Sequence, residues 1–67
     1  MQISARNQLK GTIKQVTPGA VMSEVVVDVA GQEVVAMITK ASVDRLALKP
    51  GDTVVAIIKS TDVMIGK

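Results

Sequence analysis

Residues 25–38 read VVVDVAGQEVVAMI, and this segment sets the architecture of the chain. Val25, Val27 and Val29 share one face of an extended strand. Ala30-Gly31-Gln32 is a tight connection of hairpin length. Residues 33–39 then form a strand that is apolar on both faces and needs cover on both sides. In so small a chain we expect one of those covers to come from another subunit.

A first strand precedes this hairpin. From Gln8 to Ile13 apolar and polar residues alternate with a period of two, which predicts a strand with one apolar face. Val16 falls out of phase with this pattern, and a β-bulge near Gln15 would restore the phase. Pro18-Gly19 marks the turn into the second strand.

The β pattern stops after the hairpin. Residues 40–48 carry apolar side chains three apart, at Val43 and Leu46, and this spacing predicts one short helix. Ser42 is the candidate N-cap, and Asp44 would lie in the first turn, where the helix dipole favours an acid.

Two more strands complete the predicted fold. Lys49-Pro50-Gly51-Asp52 is a strong turn signal, residues 53–59 form a fourth strand, and residues 63–65 form a brief fifth one. This order is typical of an all-β, five-stranded Greek-key barrel of the OB type, with one short helix between strands three and four. We expect residues 1–67 to form a single domain.

Composition excludes several classes of protein. The 67 residues include no cysteine and no histidine, so disulfides, Cys/His zinc sites and Cys- or His-dependent catalysis are excluded, and no enzyme is expected. The carboxylates are scattered, so none is predicted to ligate a metal cation directly. Because a domain this small buries only about 60% of its unfolded surface, oligomerisation is the remaining means of stabilisation.

Partners are restricted in the same way. No apolar run exceeds five residues, so neither a membrane span nor a signal peptide is predicted, and a cytoplasmic protein is expected. Nucleic-acid-binding barrels stack bases on aromatic rings, and this chain has none. The net charge of +2 is also too slight for a basic binding face, so no nucleic-acid partner is predicted.

Two short motifs near the chain ends carry hydrogen-bond donors. Ser4-Ala5-Arg6-Asn7 offers a hydroxyl, a guanidinium and an amide, and Lys59-Ser60-Thr61 offers an ammonium beside hydroxyls. Together these groups could bind an anion. On these residues alone, a solvated polar leader is as good an interpretation of the first motif as an anion site. For the second motif, an exposed lysine at a strand end is the better one.

Residues 3–11, ISARNQLKG, and residues 56–64, AIIKSTDVM, resemble the molybdenum-pterin-binding (Mop, or molbindin) family. The resemblance extends over nearly the whole chain, in the right order and at the length of one free-standing Mop domain. It implies an OB-like barrel, an N-terminal strand exchanged within a dimer, and dimers that assemble to a homohexamer. It further implies molybdate or tungstate bound between subunits, with no organic cofactor.

The resemblance also implies which residues bind the oxyanion. They are Ser4 through its hydroxyl, Ala5 and Arg6 through backbone amides, the Arg6 and Lys59 side chains, and Ser60. Asn7 is expected to secure the backbone of this segment. Ser42, near the start of the helix, is the match for a secondary site.

The function expected from these residues is non-catalytic storage or buffering of molybdate or tungstate. One arginine and one lysine would balance the two charges of the anion, and charge-assisted hydrogen bonds would add affinity. The alternative is a molybdopterin-binding module, or an oxyanion sensor that acts through a protein partner.

Overall fold

The computed structural model describes all residues, 1–67, as one antiparallel sheet with a short helix. The strands are β1 (Asn7–Thr17), β2 (Met22–Val29), β3 (Gln32–Thr39) and β4 (Thr53–Ile58). Helix α1 (Lys40–Leu46) follows β3, and a 3-10 turn (Ser60–Asp62) follows β4. The strand order across the sheet is β3-β2-β1-β4. None of the helices is long and apolar enough to cross a membrane.

The hairpin predicted from residues 25–38 is confirmed. Strands β2 and β3 pair in register from Met22 opposite Thr39 to Val29 opposite Gln32. Ala30 and Gly31 form the two-residue connection and have φ values of 51° and 87°. Positive φ at both positions is the geometry that matches the right-handed twist of a hairpin.

Strand β1 pairs with two neighbouring strands of the sheet. Its first half, Asn7 to Thr12, pairs with β4, and its second half, Thr12 to Thr17, pairs with β2. The predicted bulge is confirmed, since the register with β2 shifts between Ile13 and Gln15 and leaves Lys14 as the extra residue. Such a bulge bends the strand and lets a small sheet curl.

Gly11 lies where β1 packs tightly against β2. A Cβ atom at this position would stand 2.5 Å from the backbone oxygen of Asp28 and 2.7 Å from Cγ1 of Val27. Both distances are shorter than ordinary van der Waals contact, so glycine permits this close approach of the two strands.

The core lies inside the curl of the sheet. Ile13, Val25, Val27 and Val43 form a buried cluster, and Val43 brings α1 against the sheet. Only six of the 67 residues are buried. This small core provides limited hydrophobic stabilisation to the single chain.

The predicted start of the helix is wrong by three residues. Thr39, not Ser42, is the N-cap, because β3 runs directly into the helix and the Thr39 side chain accepts a hydrogen bond from the backbone N–H of Ser42. Asp44 consequently lies beyond the first turn and forms an ion pair with Lys40 instead.

The prediction of a fifth strand is wrong for the single chain, whose sheet has four strands. Residues 63–65 follow the 3-10 turn and pair with no strand of the sheet. The outer edges of β3 and β4 thus remain unpaired. Strand β1 pairs within its own chain, and the exchange of an N-terminal strand stays a prediction.

The ion pair between Lys14 and Glu33 makes the stability of the fold depend on pH, which can be tested. The hydrogen bond from Lys14 to Glu33, and then the charge of Glu33, raise the pKa of Lys14 above its ordinary 10.5. Because the folded-state pKa is raised, the pair stabilises the fold below about pH 10.5, and this contribution disappears as the pH rises through the folded-state pKa. We expect Glu33→Gln to lower the pKa of Lys14 in an NMR titration.

Glu24→Gln is the matched control, since Glu24 forms no ion pair with Lys14. A Lys14 pKa that is the same in wild type and Glu33→Gln would contradict the assignment. The Lys14 and Glu33 side chains are both more than half exposed, so the accompanying change in stability is expected to be small.

Candidate functional site

The two donor-rich motifs meet at one end of the sheet. The ladder between β1 and β4 ends with Asn7 opposite Ile58. The next residues outward along the two segments are Arg6 and Lys59, followed by Ala5 and Ser60. Antiparallel pairing within one chain therefore brings the N-terminal and C-terminal motifs together.

Backbone amides at this end of the sheet have no acceptor within the chain. The hydrogen bonds outside the regular elements include none donated by the N–H groups of Ala5, Arg6, Ser60 or Thr61. The last two amides begin the 3-10 turn, where no preceding helical carbonyl can reach them. These four donors are available to a ligand.

Two carbonyl oxygens beside these donors already accept hydrogen bonds within the chain. The oxygen of Ala5 accepts a hydrogen bond of 2.7 Å from the Gln8 side chain, and the oxygen of Lys59 accepts one of 2.9 Å from the Asp62 amide. The arrangement consequently offers mainly donors, which suits a fully deprotonated anion.

Two cationic side chains flank this set. Arg6 and Lys59 are exposed, and neither belongs to the ion pairs of the chain, which use Lys14, Lys40 and Lys49. The hydroxyls of Ser4 and Ser60 likewise make no hydrogen bond within the chain. Two positive charges beside free amides and hydroxyls can bind a small dianion by charge-assisted hydrogen bonds.

In the single chain, Gln8 makes a hydrogen bond to the N-terminal segment and the Asn7 side chain does not. The Asn7 side chain is half-buried and makes no hydrogen bond, whereas Nε2 of Gln8 donates to Ala5. Sequence reasoning missed Gln8, and the only signal was a side-chain amide three residues after the carbonyl that it reaches.

Ser42 is not brought to this site. It follows Thr39, which pairs with Met22 near the Thr17 end of β1, whereas Arg6 precedes the opposite end of that strand. The Ser42 oxygen accepts a hydrogen bond of 2.8 Å from the Thr39 hydroxyl. In the single chain Ser42 thus belongs to the helix start, and its role in a secondary site stays a prediction.

An apolar groove of about 460 Å³ opens between the two free edges of the sheet. All of its lining residues are hydrophobic, and they come from β1, the hairpin, α1 and its C-terminal end, and β4. The groove has no charged or polar side chain with which to hold an anion. It is chemically unlike the donor-rich end of the sheet.

Comparison with known proteins identifies relatives of the whole chain. The family model of the TOBE domain matches residues 3–65. Molybdenum-pterin-binding protein 3 of Clostridium pasteurianum is 50% identical over 66 residues, which cover 97% of either chain.

Two solved structures resemble the fold closely. A molybdate-binding protein from Sporomusa ovata superposes with a TM-score of 0.95 at 46% identity, with all of both chains covered. The cytoplasmic molybdate-binding protein ModG, in a form with molybdate bound, superposes with a TM-score of 0.84 at 44% identity. That match covers 90% of this chain and 43% of ModG.

Proposed function

The chain belongs to the TOBE domain family and to its molybdenum-pterin-binding members, and from this premise we propose that it binds molybdate or tungstate reversibly. The binding site is the donor-rich end of the sheet, formed by Ser4, Ala5, Arg6, Lys59 and Ser60. The protein stores or buffers the oxyanion and catalyses no reaction.

The observation that carries the proposal is the set of unpaired donors where β1 and β4 end. Arg6 and Lys59 supply two positive charges for a dianion, and neither is neutralised by a carboxylate. Hydrogen bonds to charged groups contribute roughly 1.5–3 kcal/mol each, so several of them offset desolvation and ordering costs. The similarity to two molybdate-binding structures supports molybdate as the anion.

Chemistry favours an oxyanion over a pterin as the ligand. A pterin ring has polar edges that need hydrogen-bond partners when the ring is buried. The more enclosed of the two cavities is the apolar groove, whose lining side chains are all hydrophobic, and the other is an open surface depression lined by Thr12, Ile13, Lys14 and Asp28. The free donors instead cluster at exposed positions suited to a small tetrahedral ion.

Assembly of several copies is part of the proposal. Val35 and Met37 on β3 are each 58% exposed, and Met64 and Ile65 near the C-terminus are 92% and 90% exposed. Large apolar side chains exposed in this number are typical of surfaces that other subunits cover. We propose dimers that assemble to a hexamer, with the anion held between subunits. The description of ModG as cytoplasmic supports the same compartment for this chain.

Calorimetry tests the function. Molybdate titrated into the purified protein is expected to release or absorb heat with a saturable isotherm, and tungstate is expected to compete. Phosphate is expected to bind more weakly, since it is partly protonated at neutral pH and its O–H group would face a site made mainly of donors. No heat and no competition would refute the proposal.

Native mass spectrometry tests the assembly and the ligand together. Protein purified from cells is expected to run as a hexamer that carries tetraoxoanion masses. A bound mass equal to a pterin would favour the alternative ligand, and a monomer at micromolar concentration would contradict the assembly.

A further inference from the structure

We propose that Gln8 is the positioning residue of the oxyanion site, because its side chain fixes the peptide group that carries the Arg6 amide. The inference rests on the proposed function and assigns a role to a residue that is not itself a ligand. The central contact is the 2.7 Å hydrogen bond from Nε2 of Gln8 to the carbonyl oxygen of Ala5.

Peptide geometry converts this contact into control of a ligand donor. The carbonyl of Ala5 and the N–H of Arg6 belong to one planar trans peptide group and point in opposite directions. When Gln8 holds the carbonyl on its own side, the Arg6 N–H is directed to the other side. That N–H donates to nothing within the chain and is one of the donors assigned to the anion.

The contact is also the sole hydrogen bond made by the segment. The regular strand begins at Asn7, and no other hydrogen bond of the chain uses an atom of residues 1–6. Without Gln8 the peptide between Ala5 and Arg6 would be free to rotate. An anion would then have to order that peptide on binding, at a cost in affinity.

Gln8 itself is well placed for this role. It lies in β1 opposite Ile57 of β4, so its backbone is held by the sheet. Its side chain is exposed, and an exposed hydrogen bond adds little to the stability of the fold. A change at Gln8 should therefore affect the order of the site and its affinity, with little effect on folding.

The test uses Gln8→Met in the full chain, with Gln15→Met as the matched control. The control removes the same amide from the same strand, where it donates only to Thr17 at 3.3 Å. We expect Gln8→Met to weaken molybdate binding about threefold to tenfold, as loss of one hydrogen bond predicts. The control is expected to bind as wild type does, with melting temperature and assembly unchanged in both variants.

The second readout is the order of the Arg6 amide in the anion-free protein, measured by ¹⁵N relaxation. Gln8→Met is expected to increase its picosecond-to-nanosecond motion, and the control is not. Gln8→Asn keeps the amide but is one methylene shorter, and it is expected to behave like Gln8→Met.

Two results would overturn the inference. Unchanged order of the Arg6 amide in Gln8→Met would show that the contact does not position the peptide. Weaker binding together with unchanged order would mean that Gln8 touches the anion directly. If the wild type binds no oxyanion, the proposed function fails, and the relaxation data from anion-free protein still decide whether Gln8 positions Arg6.

Discussion

Replacing Arg6 with alanine is expected to weaken molybdate binding by at least tenfold while assembly stays intact. The guanidinium is exposed and unpaired in the chain, so its removal leaves no buried charge behind and should not disturb the fold. A charge-assisted hydrogen bond is worth roughly 1.5–3 kcal/mol, and about 1.4 kcal/mol corresponds to tenfold in affinity. The dianion would also retain Lys59 as its only cationic partner.

Arg45→Ala is the matched control for this prediction. Arg45 is exposed, belongs to no ion pair and lies in α1, away from the end of the sheet where β1 and β4 meet. The Arg45→Ala substitution removes the same positive charge as Arg6→Ala, so it reports any effect of net charge alone. Titration calorimetry of both variants at one salt concentration makes the comparison. A dissociation constant for Arg6→Ala within twofold of wild type, or an equal loss in Arg45→Ala, would remove Arg6 from the site.

Gly11→Ala is expected to destabilise the protein by about 3 kcal/mol, the upper part of the range for overpacking a tight position. The new Cβ would lie 2.5 Å from a backbone oxygen and 2.7 Å from a valine methyl. The oxygen belongs to Asp28 on β2, an inner strand, and Asp28 is paired on both sides, so its backbone cannot move without disturbing the pairing of β2 with its neighbours. Chemical denaturation at one fixed protomer concentration gives the change in unfolding free energy.

Gly66→Ala is the control for the glycine substitution. A Cβ at Gly66 would meet no atom within 4 Å, so its effect should stay within about 0.5 kcal/mol, as for other surface changes. Equal stability of the Gly11→Ala and Gly66→Ala proteins would show that β1 and β2 can separate without loss.

Local patterns in the sequence predicted the sheet well. Alternation up to Ile13 and the phase break at Val16 placed both β1 and its bulge, because both features act through the side-chain period of two. The hairpin turn at Ala30-Gly31 followed from its length. The helix start was misplaced because Thr39 and Ser42 are both good capping residues, and only the path of β3 decides between them.

Sequence patterns do not predict which strands pair when they are far apart in the chain. Residues 63–65 have the composition of a strand, but a strand also needs a partner backbone, and composition does not identify one. The meeting of Arg6 with Lys59 depends on the register between β1 and β4, which no local pattern encodes. The family resemblance supplied the residues of the proposed site, and the register explains how one chain can bring them to the same place.

That register also determines where the chain tolerates changes of length during evolution. Inserting one residue between Asn7 and Thr12, or between Thr53 and Ile58, would displace Arg6 past Lys59 by about 3.3 Å and turn its side chain to the other face. An insertion in the turn between Thr17 and Met22 would leave that pairing untouched. Divergent copies of this chain should therefore vary in length at the β1–β2 turn and keep a constant length in the two segments that align the cations.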